Sequence, residues 1–301
     1  MTATQNSIDD YRSLREDTAP LDLGSWCVLK LTGSETREFL QGMATQDLAA
    51  GGPQQASRSL FLNEKGRPVA QAWVLVEPTG TEAVVIADEG ARATLRPHFE
   101  RFRIMEDVEF EGPEGMPRLI GWAGPHREEG VTQFAAANSA SRVVHAEPLS
   151  FVLLPETERA LPAFAHSEAV EAWRLAIGLP RTGVDFDLDR IATELNLPEA
   201  ISFTKGCYVG QEVVARTSNR GQVRRRRVGF RFDWPGSTPP AKAEIRSEGA
   251  PAGFLTSAAR EPGSGEGIGM GYLSVELIER RAPLELIHNG SITLRIRDWT
   301  L

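Results

Sequence analysis

The first third of the chain is built from short apolar runs separated by polar turns. Trp26 to Leu31 has strand length, and Gly33-Ser34 opens a short helix, with Ser34 as its cap and Phe39 and Leu40 turned inward. Ser59 to Leu62 and Val69 to Val76 read as strands around the polar turn Asn63-Glu64-Lys65-Gly66. Ala83 to Ala87 is a further strand, Leu95, Phe99 and Phe102 share one face of a helix, and alternation from Ile104 to Phe110 predicts a closing strand. Strand, helix, strands, helix, strand is the order of a split βαβ layout, an antiparallel sheet with helices on one face, so the class is α+β.

From Pro113 onward the pattern loosens, with strands expected at Leu119 to Trp122 and Ser150 to Leu154. Ser167 then caps a helix whose Val170, Trp173 and Ile177 share a face, and Gly178 with Pro180 ends it. Beyond Gly221 short β runs recur at Val228 to Phe232, Gly253 to Ser257, Ile268 to Leu273, Leu284 to Ile287 and Ile292 to Ile296, the pattern of a small barrel or sandwich. Asn289-Gly290 between the last two is a hairpin turn in preference to a glycosylation sequon. Three domains are expected: an N-terminal α+β unit over 1–112, a second α+β unit over 113–221 and a C-terminal β-barrel over 222–301.

A chain of 301 residues, 41% hydrophobic and 25% charged, can bury a full core. The polar stretch Met1 to Asp17 has no apolar h-region, and nowhere is there the uncharged run of about 18 residues that a membrane span needs. With two cysteines and no CxxC pair, the expectation is a reducing compartment and a cytoplasmic protein. The net charge of -8 argues against general nucleic-acid coating. From Lys205 to Arg231, however, Lys205, Arg216, Arg220, Arg224, Arg225, Arg226, Arg227 and Arg231 stand against Glu212 alone, which suggests an anion-binding face. Alternate residues of a strand face opposite ways, so only half of the Arg224 to Arg227 run can meet one ligand.

The five histidines are scattered without HExxH spacing, and no P-loop or GxSxG element occurs. Glycines 263, 265, 267 and 269 read as a flexible loop. Cys27, inside Trp26-Cys27-Val28-Leu29, reads as a small buried hydrophobe. Cys207 follows Lys205 and Gly206, and the spacing of Val209 and Val213 allows a helix to start there. A lysine and a helix N-terminus together would favour the thiolate, while an unreactive thiol in a polar turn is the plain alternative.

The stretch Phe203-Thr204-Lys205-Gly206-Cys207-Tyr208-Val209-Gly210-Gln211-Glu212 resembles the KGCYxGQE motif of YgfZ-like proteins in the glycine-cleavage aminomethyltransferase superfamily. Weaker likenesses at Phe39-Leu40-Gln41-Gly42, Leu62 to Arg67, Trp173-Arg174-Leu175 with Gly178-Leu179-Pro180, and Gly253 to Ser257 extend it over most of the chain. The resemblance implies a three-lobed fold around a folate-sized cavity and a role in iron–sulfur cluster assembly or repair, with an indirect tie to tRNA modification. It implies Cys207, Lys205 and Tyr208 as reactive-site residues, and Arg174, Gly206, Gln211, Glu212 and Arg216 as residues binding tetrahydrofolate or a derivative. Partners would be iron–sulfur client enzymes or assembly proteins, with no membrane and no direct nucleic-acid binding. Ala70 and Gln71 stand where transferases of the superfamily carry an aspartate pair, which speaks against aminomethyl transfer. Ala176 stands where a pterin-holding glutamate is expected. The alternatives are a folate-dependent one-carbon transferase and an RNA-binding module using the arginine run.

Overall fold

The computed structural model describes residues 3–48, 52, 54–138, 142–155, 161–219, 223–297 and 299. Arg220 and the expected boundary between 221 and 222 lie outside them. In chain order the elements are α1 (Ala3–Glu16), β1 (Ala19–Asp22), β2 (Cys27–Thr32), α2 (Thr36–Met43), β3 (Ser57–Leu62), β4 (Pro68–Val76), β5 (Glu82–Ala87), α3 (Leu95–Phe102) and β6 (Glu109–Glu111). Next come β7 (Arg118–Ala123), α4 (Arg127–Ala137), β8 (Arg142–Val144), β9 (Leu149–Leu154), α5 (Ser167–Ile177) and α6 (Gln211–Asn219). The last are β10 (Arg225–Asp233), β11 (Glu244–Ser247), β12 (Ala250–Arg260), β13 (Glu266–Ser274), α7 (Val275–Glu279), β14 (Leu284–Ile287) and β15 (Ser291–Arg297).

The strands form a five-stranded sheet in the order β3-β4-β5-β2-β6, a four-stranded sheet β1-β7-β9-β8, and a closed barrel β10-β13-β12-β11-β14-β15. The fold class is therefore α+β with a C-terminal barrel. The polar leader is not loose chain: α1 packs on α5, and β1 pairs with β7, Leu21 opposite Gly121. Residues 3–22 thus join the second sheet, not the first. Ser7, Tyr11 and Leu14 share a face of α1, and a serine in that stripe hides its period.

Both faces of the five-stranded sheet are covered, which explains why β4 reads as a nearly unbroken apolar run. On one face Phe39, Leu40 and Phe99 of α2 and α3 pack on Leu29, Phe61 and Val85. On the other, Trp73 stacks on Trp26 at 5.6 Å and meets Phe151 of the second sheet edge-on at 5.4 Å. Truncating a fully buried tryptophan such as Trp73 costs about 3–5 kcal/mol.

Several local expectations are corrected. Ser34 does not cap α2; its hydroxyl donates to Asp107 at 2.7 Å, and Glu35 holds the cap position. Ser167 is the first residue of α5, and His166 precedes it as the cap. The strand expected from Ile104 shrinks to β6, leaving Ile104 and Met105 exposed. Gly267 and Gly269 belong to β13: a Cβ on Gly267 would lie 2.4 Å from the Phe232 ring, so glycine there admits a core aromatic. The Asn289-Gly290 turn closes the β14–β15 hairpin at φ 49° and 125°.

The barrel is latched to the second unit through Asp185. Its carboxylate accepts hydrogen bonds from Arg174 Nη1 (2.7 Å), Thr256 Oγ1 (2.7 Å) and Ser257 Oγ (2.6 Å). Burial opposes its charge, but the Arg174 guanidinium and the two hydroxyls outweigh burial and hold the carboxyl below the usual range. Arg174 also donates to Glu171 and to the Leu179 carbonyl, so its donors serve this latch.

Candidate functional site

The segment carrying Cys207 is bound along its length to the connection between α2 and β3. Thr45 Oγ1 donates to the Ala200 carbonyl (2.6 Å), the Ser202 N–H to the Thr45 carbonyl (2.9 Å), and the Val209 N–H to the Gly42 carbonyl (3.0 Å). Lys205 points inward: its Nζ donates to the carbonyls of Gln41 (2.7 Å), Ala44 (2.7 Å) and Gln46 (3.1 Å). These lie at or just past the C-terminal end of α2, where carbonyls lack helical partners and a cation is favoured. Burial pushes the Lys205 ammonium down to about 8, against the pull of Asp47. Tyr208 is buried as well, its ring 5.4 Å from Nζ, and burial pushes its phenol up to about 12.

Between these two anchors Gly206 and Cys207 are exposed. The expected activation is corrected on both counts. The Lys205 ammonium is spent on α2, and α6 begins only at Gln211, four positions beyond the thiol. What the fold presents is an exposed thiol on a firmly seated loop. Gln211 is half-buried and Glu212 and Arg216 are exposed on α6, whose Val214 turns into a core with Leu60, Leu62 and Tyr208. Cys27 is fully buried, and burial pushes its thiol up to about 11. Among the described residues no group of three or more His, Cys, Asp or Glu could hold a metal ion.

A separate cavity of about 450 Å³ lies where the two sheets and the barrel meet. The end of α5 supplies Gly178 and Leu179, the segment before the Cys207 loop supplies Asn196 and Glu199, β3 supplies Arg58, and the barrel supplies Arg226, Arg227, Arg297 and Trp299. Arg58 donates from Nε and Nη2 to Gln71 Oε1 (3.2 and 2.5 Å) and from Nη1 to Glu199 (2.7 Å). Burial pushes its guanidinium down to about 10, with Glu199 opposing. Of the cavity's arginines only Arg226 and Arg227 were marked in the sequence, through the arginine run. Arg58, Arg297 and Trp299 carry no local signal, because the fold alone brings residues so far apart together.

Cys207, Arg174, Gly206, Gln211, Glu212 and Arg216 do not line this cavity. Ala176 packs against Ile268 and Met270 in the interface between α5 and the barrel, so a glutamate there would bury its carboxylate among apolar side chains. The arginines suit the carboxylates of a folate. The N–H edge of a pterin would meet only Glu147 and Glu199 among the lining carboxylates, and these already pair with Arg127 and Arg58.

Comparison with known proteins agrees with this architecture. Residues 225–297 match the family described as the glycine cleavage T-protein C-terminal barrel domain. The aminomethyltransferase T of the glycine cleavage system from Bartonella henselae superposes with a TM-score of 0.81 over 97% of this chain and 88% of its own, at 17% identity. The fold is that of an aminomethyltransferase-like protein. The family match covers the barrel alone, and the chain's relatives in sequence bear the name of iron–sulfur cluster assembly factors. The mitochondrial factor IBA57 of Mus musculus is 24% identical over 90% of this chain and 82% of its own length. That of Homo sapiens is 29% identical over 71% and 67%, and the Neurospora crassa homolog 24% over 72% and 54%. All three are named mitochondrial, which overturns the cytoplasmic location expected from the sequence.

Proposed function

We propose that this chain supports iron–sulfur cluster assembly or repair in client enzymes, with Cys207 as the group that meets the cluster. The observation that carries the reading is the contrast between its two thiols within a chain similar to named assembly factors: Cys27 is sealed in the core, and Cys207 is exposed on a loop pinned from both sides. On meeting a cluster the Cys207 thiol gives its proton to solvent, and its sulfur takes the place of one outgoing ligand on iron. Clusters are commonly held by four thiolates, so the remaining ligands come from the partner that brings the cluster or receives it. Lys205 and Tyr208 hold the loop, and Gly206, Gln211, Glu212 and Arg216 shape the surface that the partner meets. The YgfZ-like branch, and with it an indirect effect on tRNA modification, rests on the KGCYxGQE motif.

A reduced folate in the junction cavity is the second element of the proposal. Its carboxylates would be held by Arg226 and Arg227, while the α5 residue Arg174 supports the cavity wall through the Leu179 carbonyl. Such a cofactor supplies reducing power or a one-carbon unit. The test is complementation of a deletion strain, scored by the activities of several iron–sulfur enzymes. Cys207→Ser loses rescue and Cys27→Ala keeps it. Equal rescue by both removes the thiol from the mechanism.

A further inference from the structure

The junction cavity holds buried nitrogen donors that no acceptor among the described residues satisfies. Arg227 is fully buried; its Nε donates to the Leu195 carbonyl (2.7 Å) and Nη1 to the Gly178 carbonyl (2.8 Å), but Nη2 has no acceptor among the described residues. Trp299 lies over this guanidinium, 4.3 Å from ring centroid to Cζ, and its buried Nε1 also lacks an acceptor. Nη1 of Arg297 is a third. All three residues line the same cavity. Two glycines make the indole's position possible: a Cβ on Gly178 would lie 2.3 Å from the ring, and one on Gly229 2.7 Å from Nε1.

Buried N–H groups without partners are rare because each forfeits its hydration. Three around one cavity call for a ligand rich in acceptors. The charges agree. The lining carboxylates Glu147 and Glu199 pair with Arg127 and Arg58, and no carboxylate among the described residues lies within 4.0 Å of Arg226, Arg227 or Arg297. Guanidinium and indole N–H groups both donate well to carboxylate and phosphate oxygens, and neither can accept.

We infer that Arg227, Arg297 and Trp299 form an oxyanion seat in the junction cavity, which takes a carboxylate or phosphate group whether or not a folate carries it. The seat goes beyond the folate reading. It recognises charge and acceptor geometry, and Trp299 contributes a donor as well as a lid over Arg227.

Calorimetry on the full chain tests this with four probes: γ-linked triglutamate, inorganic phosphate, tetrahydrofolate and its triglutamate form. At least one of the two simple anions binds the parent, and which one identifies the source of the oxyanion. Trp299→Phe keeps a ring over Arg227 but removes the N–H, and Arg297→Gln removes a charge at the half-buried end. Each weakens binding of that anion about tenfold to a hundredfold. Arg225→Gln, exposed on the same strand, leaves it unchanged. Melting curves of the variants confirm that they fold. Absence of binding by both simple anions overturns the seat, as does equal affinity in the parent, Trp299→Phe and Arg297→Gln. Tetrahydrofolate binding that ignores both substitutions leaves the folate reading standing and the seat refuted. Triglutamate binding to which the pterin adds nothing does the reverse.

Discussion

Lys205→Met replaces one inward-pointing ammonium by an apolar side chain of similar length and strands three carbonyls, those of Gln41, Ala44 and Gln46. Hydrogen bonds to a charged group contribute about 1.5–3 kcal/mol each. Here one donor group serves all three, and keeping it buried has a desolvation cost, so the terms do not add. A loss of about 3 kcal/mol follows, a large share of the roughly 5–15 kcal/mol that holds a domain folded. In urea, with a slope of about 3 kcal/mol per molar, the midpoint falls by about 1 M. Hydrogen exchange supplies the local reading. The Val209 amide, bonded to the Gly42 carbonyl at 3.0 Å, loses protection in the variant because the loop is no longer stapled to α2. An unmoved midpoint together with a protected Val209 amide would refute the staple and return Lys205 to the role that sequence suggested, a cation beside the thiol.

Burial pushes His98 down to about 4, the charge of Glu64 opposing, from an unfolded value of about 6.5. On acidification the unfolded chain takes the proton first, so about 3 kcal/mol of stability is lost as pH falls from about 6.5 to about 4. His98→Phe flattens this part of the pH dependence of the urea midpoint, and an unchanged slope would mean that His98 does not titrate as buried. Gly178→Ala meets both a left-handed backbone at φ 72° and the Trp299 ring. The left-handed conformation costs about 1–2 kcal/mol, and displacement of the indole adds to it. In a Trp299→Ala background only the first part remains; equal penalties in the two backgrounds would show that the ring does not rest on Gly178.

Local pattern carried much of the fold. β2, β4, β9 and the α5 helix ending at Gly178 were legible because their apolar residues follow one period and their ends carry turn residues. α4 was missed because its apolar residues do not gather into one stripe: Val131 alone is buried among its described side chains. The Cys207 motif was legible as a motif but not as geometry. Sequence places Lys205 two positions from the thiol, but the segment between them is irregular loop, and α2 and the chain after it offer the ammonium three carbonyl partners that turn it inward, away from the exposed Cys207. The arginine run shows the same limit. Alternation would put Arg225 and Arg227 on one face, yet Arg225 is exposed at the strand's start and Arg227 fully buried, and that Arg227 would lie under Trp299 depends on a contact across 72 positions that no local rule reports.

The position where transferases of this fold are expected to hold a carboxylate bears directly on what the cavity can do. Gln71 is almost fully buried, accepts two N–H groups of Arg58 on Oε1, and donates from Nε2 to the Pro180 carbonyl at 3.3 Å. A neutral amide neither relays a proton nor offsets a developing cation, and Ala70 beside it has no polar atom to offer. Gln71 instead fixes Arg58, and Arg58 holds Glu199, so this corner of the cavity is organised for recognition rather than proton transfer. The exposed thiol stands elsewhere on the same segment. Gln46 donates from Nε2 to the Glu199 carbonyl (2.6 Å), and its own carbonyl accepts from Lys205 Nζ (3.1 Å). Arg58, Glu199, Gln46 and Lys205 therefore connect the cavity wall to the Cys207 loop without a break. Under the proposed function the cavity binds and the Cys207 loop meets the cluster, and the absence of a carboxylate at Ala70 and Gln71 sets this chain apart from one-carbon transfer.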